Sequence, residues 1–185
     1  MPITINGSGT ITGLSVGGLP DGIVDTDTLA ISARGKILQI VNGTPDTNHR
    51  TSTSTSFVEA SSTCNVVITP TSDSSKILVV CKTQLSCNDG NDGWAATIYR
   101  GSTNLGATDA GLAYGNSVPD VSGTYFPVSM HYVDSPGVTS AVTYQLRVRV
   151  HDNDADGHSV NVGSTGYGTS SGDIISSLMY AMEFA

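Results

Sequence analysis

The residues best spaced for chemistry are Asp152-Asn153-Asp154-Ala155-Asp156-Gly157. They match the first half of a calcium loop, in which Asp152, Asp154 and Asp156 converge on one ion and the glycine permits a tight turn. The second half fails: Gly163 stands at the twelfth position, where a bidentate Glu belongs, and strands rather than helices flank the segment. A turn between two strands explains three aspartates equally well. Calcium held by these carboxylates is therefore one of two readings. His151 and His158 flank the loop, and His49 and His131 lie elsewhere, in a spacing that resembles no zinc signature. Serine is too common here to mark a Ser/His/Asp triad, and no cysteine stands beside a plausible histidine. With Glu59 and Glu183 the only glutamates, no paired-carboxylate glycosidase site is visible, and no Gly-rich loop ending in Gly-Lys cradles a phosphate. The chain is read as non-enzymatic. Trp94, Tyr114 and Tyr167 are the better candidates for an aromatic platform, because the other aromatics sit on strands that more often fill a core.

The elements that must carry these residues follow from composition. The chain has 185 residues, with eight Lys+Arg, sixteen Asp+Glu and a net charge of −8. Fourteen of the acids are Asp, a turn and cap former, and only three residues are Lys. Ser, Thr and Gly make 67 of 185 residues, which suits short strands and many turns. Helical bundles and doubly wound α/β folds are excluded in practice. The acidic balance argues against nucleic acid or an anionic membrane as the main partner. No run of residues is long and apolar enough for a membrane span, and the first residues lack the charged and apolar regions of a secretory signal peptide. Cys64, Cys81 and Cys87, odd in number and without a Cys-x-x-Cys pair, imply no disulfide framework.

Two regions differ in kind. Residues 1–34 form an arm in which Ile3, Ile5, Ile11, Leu14, Val16 and Leu19 are too few and too scattered to close a core, so their apolar edges need a partner chain or domain. Pro20-Asp21-Gly22 marks a turn, and residues 25–31 are the one candidate helix. Residues 35–185 show the period-two alternation of half-buried strands. Val142, Tyr144, Leu146, Val148 and Val150 share one face of a strand; Ile77, Val79, Cys81, Thr83, Leu85 and Cys87 share one face of another. Cys64, Val66 and Ile68 repeat the pattern, and further strands are expected at 36–42, 94–100, 124–133 and 174–184. Pro127 predicts an edge or a bulge within its strand. Residues 101–123, without a clear period, predict a surface or interface loop, and residues 50–56 either an exposed strand or a linker. The whole is an antiparallel β-sandwich of jelly-roll type with an extended N-terminal arm.

Several of these motifs also resemble a family of small tail-fibre-like virion proteins of bacteriophages, chiefly those of cyanobacteria and marine bacteria. The arm residues Asn6-Gly7-Ser8-Gly9-Thr10 and Gly17-Gly18-Leu19-Pro20-Asp21-Gly22 carry part of the likeness. Gly35-Lys36-Ile37-Leu38-Gln39, Ile68-Thr69-Pro70 with Ser75-Lys76-Ile77-Leu78-Val79, Ile98-Tyr99-Arg100-Gly101, Tyr132-Val133-Asp134-Ser135-Pro136-Gly137, Ala141-Val142-Thr143-Tyr144 and the Met182-Glu183 ending carry the rest. The resemblance implies a virion protein, commonly a homotrimer, whose arm docks on the particle and whose β domain projects toward a host surface glycan or receptor. It transfers no catalytic residue. The alternatives are a capsid decoration protein that stabilises the shell, and a carbohydrate-binding module with calcium at Asp152, Asp154 and Asp156.

Overall fold

The structure, a computed structural model, describes residues 4–5, 11–12, 37–87, 93–116, 125–151, 159–163 and 176–185. The chain divides into two compact units, Met1–Lys36 and Ile37–Ala185. In the first, β1 (Thr4–Ile5) and β2 (Ile11–Thr12) pair antiparallel, Thr4 opposite Thr12. The candidate helix at 25–31 and the turn at 20–22 lie outside the described residues.

The second unit is built of strands. β3 (Ile37–Asn42), β4 (Arg50–Ser52), β5 (Val58–Glu59), β6 (Asn65–Ile68), β7 (Lys76–Cys87) and β8 (Gly93–Arg100) come first. β9 (Thr103–Asn104), β10 (Ala113–Asn116), β11 (Tyr125–Asp134), β12 (Val142–His151), β13 (Val160–Val162) and β14 (Leu178–Phe184) complete it. Every pairing of these strands is antiparallel.

Several short strands are pieces of one interrupted column. β7 pairs along one side with β11 over its length, and along the other with β14 near its start and β13 near its end. β3 and β4 lie beyond β14 and β13. In the second sheet β12 and β8 are continuous; β5 and β6 share the far side of β12, and β9 and β10 the far side of β8. Read as columns in chain order, from β3/β4 as the first to β13/β14 as the eighth, the sheets run 1-8-3-6 and 2-7-4-5. That order is the eight-stranded jelly roll, two Greek keys folded face to face.

The alternation seen in the sequence sets the core. Val142, Tyr144, Leu146, Val148 and Val150 of β12 point inward, as do Ile77, Val79, Cys81, Thr83, Leu85 and Cys87 of β7. They meet Cys64, Val66, Ile68, Met179 and Ala181 in one apolar cluster. Pro127 sits in β11, which pairs only with β7, so its missing donor faces the sheet's open edge. Residues 50–52 are an exposed edge strand.

One expectation is corrected. Residues 101–116 are not a surface loop: β9 and β10 continue the edge of the second sheet, joined by a turn at 105–112. Ala107 and Gly111 exchange both backbone hydrogen bonds there, and Leu112 N–H donates to Ala96. Gly111 adopts a φ of 64°, the left-handed conformation that favours glycine. Pieces of two and four residues carry too little alternation to register as strands.

Candidate functional site

Asp152, Asp154 and Asp156 lie outside the described residues, as do His158 and Tyr167. So do Gly13-Leu14-Ser15-Val16-Gly17 and Gly168-Thr169-Ser170-Ser171-Gly172, whose spacing matches a nucleophile elbow. Among the described residues no three His, Cys, Asp or Glu side chains cluster as metal ligands. His131 projects from β11 and His151 from β12, on different sheets, and His49 is exposed.

The ionisable chemistry that the described residues bring together is internal. Asp46, on the connection from β3 to β4, is 2% exposed. Its Oδ1 accepts from the backbone N–H and the side-chain amide of Asn48, both at 2.9 Å. Its Oδ2 accepts from Arg50 Nε at 3.3 Å and from the hydroxyl of Ser61, on the connection from β5 to β6. Ser61 Oγ in turn accepts from the N–H groups of Thr63 and Cys64 at 3.0 Å. Burial pushes this carboxyl up, but the hydrogen bonds from Ser61, Asn48 and Arg50 outweigh it and bring its pKa down to about 2. Such a carboxylate stays ionised near neutral pH and keeps the Ser61 hydroxyl as its donor.

Two more carboxylates repeat the device. Asp134, at the end of β11, receives Arg100 Nη1 on both oxygens at 3.0 Å and the Tyr144 hydroxyl at 2.7 Å. Arg100 and Tyr144 belong to β8 and β12, so this cluster ties one sheet to the other. Burial, then the adjacent Asp134, pushes the Tyr144 hydroxyl far up, which keeps it a donor. Glu183 of β14 is fully buried; it accepts from Thr71 N–H and Thr71 Oγ1 at 2.7 Å, and from the Gln39 amide. Burial raises its pKa, and its polar neighbours Ser75, Gln39 and Thr71 reverse that, leaving it below the usual range. Cys81 meets Cys64 in the core; that contact and burial hold its thiol well up. Sequence reasoning missed Asp134 and Glu183 as interior groups. The signal was their phase: Glu183 follows Met179 and Ala181 at steps of two, and Asp134 follows Val128 and Met130 likewise.

The two outer faces of the sandwich differ. On the sheet containing β12, Arg147 stacks over the Tyr99 ring at 4.2 Å, and Arg149 lies 5.7 Å from the centre of Phe57 and 3.3 Å from Asp109. Tyr114, 46% exposed, meets His151 edge-on at 4.8 Å. Tyr114 is thus at the surface as expected, on β10. Trp94 is not: it is buried against Phe126 at 5.4 Å, and the expectation of a surface platform there is corrected. Its indole covers Gly115, where a Cβ would fall 2.7 Å from the ring. An open depression of about 380 Å³ lies beside Ser61, lined also by Arg50, Thr51 and Glu59.

On the sheet containing β7 the outer face carries an apolar row. Val133, Leu78, Met182 and Ile40 stand opposite one another across four columns, with Val133 50% and Ile40 55% exposed.

No protein-family model and no curated protein matches the chain. Among solved structures, it is similar to a mutant VP2 protein of infectious bursal disease virus in T=1 particles, at 13% identity and TM-score 0.40, over 80% of this chain and 36% of that one. A second match is the T13 particle of the same virus, at 11% identity and TM-score 0.41, over 83% and 36% of the two chains. A third is the Gx strain, at 13% identity and TM-score 0.40, over 89% and 42%. The chain spans well under half the length of these proteins.

Proposed function

We propose that this chain is a structural component of a virus particle, that it works as a homo-oligomer, and that it acts by surface contact rather than catalysis. One observation carries the reading: the three buried carboxylates, Asp46, Asp134 and Glu183, are each saturated by donors that hold the sandwich together. The fold spends its ionisable groups on rigidity and offers partners broad faces. The resemblance of sequence motifs supports a bacteriophage, and within it a trimeric fibre-like appendage whose first 34 residues grip the particle while the β domain faces the host. A decoration protein on the capsid shell differs only in where the same parts attach.

The direct test is mass spectrometry of purified particles. The reading expects peptides of this chain in particles that have been washed in high salt; their confinement to the soluble lysate would overturn it. Averaged density then separates the two locations, since a decoration protein occupies capsid symmetry positions and an appendage does not.

A second reading, saccharide contact, is favoured by one observation: Tyr114 and the Arg147–Tyr99 stack share the outer face of the β12 sheet. Calorimetry with host glycans tests it, and loss of heat in Tyr114→Ala is the expected result; no heat from the unaltered chain removes it.

A further inference from the structure

We infer that the outer face of the β7 sheet is the surface through which copies of this chain join. The inference deepens the homo-oligomer part of the proposed function and rests on it. Its first support is the contrast between two faces of one sandwich. Along β12 the outward positions are Thr143, Gln145, Arg147, Arg149 and His151, the polar half of an alternating strand. Along β7 and its neighbours the outward row is Val133, Leu78, Met182 and Ile40, and in the next row, His131, Val80, Tyr180 and Asn42, the two central positions are apolar. An antiparallel sheet facing water has a polar outer side. This one has an apolar row across four columns and an apolar pair beside it.

Charge selects the occupant. The chain carries a net charge of −8, so copies repel one another across most of their surface. The described strand residues of this face include no carboxylate; its charged residues are Lys76 and Lys82. Asp134 and Glu183, on the same strands, point the other way into the sandwich. A second copy of an acidic protein can approach here without bringing carboxylates together. Size agrees. Four columns at about 4.8 Å spacing and eleven residues at about 3.3 Å rise span roughly 700 Å² for the whole sheet face, the apolar strip together with its flanking Lys76, Lys82, Gln84, Ser129 and His131. That is close to the roughly 800 Å² that each partner contributes to a stable interface. Apolar rows of this kind interlock when two sheets pack face to face.

Sedimentation equilibrium of the full chain tests the inference. The unaltered protein is expected at a multiple of 19.0 kDa. Ile40→Lys and Val133→Lys, at opposite edges of the face, are expected at a single chain mass with an unchanged circular-dichroism spectrum. Val67→Lys, equally exposed on the other sheet, is expected to keep the multiple. A second measurement needs no variant: oxidation of Met182 is expected to be slow in concentrated solution and fast on dilution. An unaltered chain at 19.0 kDa, folded Ile40→Lys and Val133→Lys that keep the multiple, or Met182 oxidised equally at all concentrations each overturn the inference. A monomer that is nevertheless found in purified particles removes this contact and leaves the particle role standing. An assembled protein absent from particles does the reverse.

Discussion

Asp46 binds its proton less tightly in the folded chain, with a pKa of about 2, than in the unfolded one, where 3.8 applies. As pH falls, the unfolded state therefore takes up the proton first, and stability falls with it. The contribution is complete above about pH 4 and is lost as pH drops through about 2; a shift of this size corresponds to about 2 kcal/mol. Urea unfolding followed from pH 5 to pH 2 is expected to show this loss, and Asp46→Asn to be less stable at pH 5 but flatter with pH. Glu183, also held below its ordinary range, adds in the same direction. Tyr144→Phe removes one donor from the buried Asp134 carboxylate and is expected to lower the unfolding free energy by about 1–3 kcal/mol. The phase of Glu183 and Asp134 in their strands was visible in the sequence. Their partners were not, because Thr71 and Arg100 reach them from elements distant along the chain.

Strands that run without interruption were the legible ones. β7 and β12 declare themselves because ten or more residues alternate in one register, and their inward sets are the ones the alternation named. The pieces that hid are the short ones on interrupted edges: β9 and β10, separated by the turn around Gly111, and β5, separated from β6 by the segment carrying Ser61. Trp94 misled for a related reason. A tryptophan beside an Asn-Asp-Gly turn looks exposed, yet it is the second residue of a central strand and its ring lies on Gly115. Gly115→Ala tests that packing. A methyl group placed 2.7 Å from the indole forces the ring or the edge strand to move, at an expected cost of about 1–3 kcal/mol. Trp94 is the only tryptophan, so a shift in its emission spectrum reports the movement directly.

At the scale of the molecule, the sandwich is closed by apolar packing and sealed by polar clusters, with its three thiols inside. Cys64, Cys81 and Cys87 are expected to ignore a thiol reagent in the native state and to react together when urea unfolds the chain; early reaction of any one would place it outside the packed core. The fold class and the inward faces of the long strands followed from sequence alone. The apolar outer face did not, because period two shows that a strand has two sides without saying which neighbours cover them. In the proposed function this protein works by contact, as one part of a particle. Cryo-electron microscopy of intact particles tests that most directly. The account predicts eight-column sandwiches on the exterior, grouped about a symmetry axis with their β7 sheets facing one another. Particles with no such density, in a preparation where the chain is present only in the surrounding solution, would contradict it.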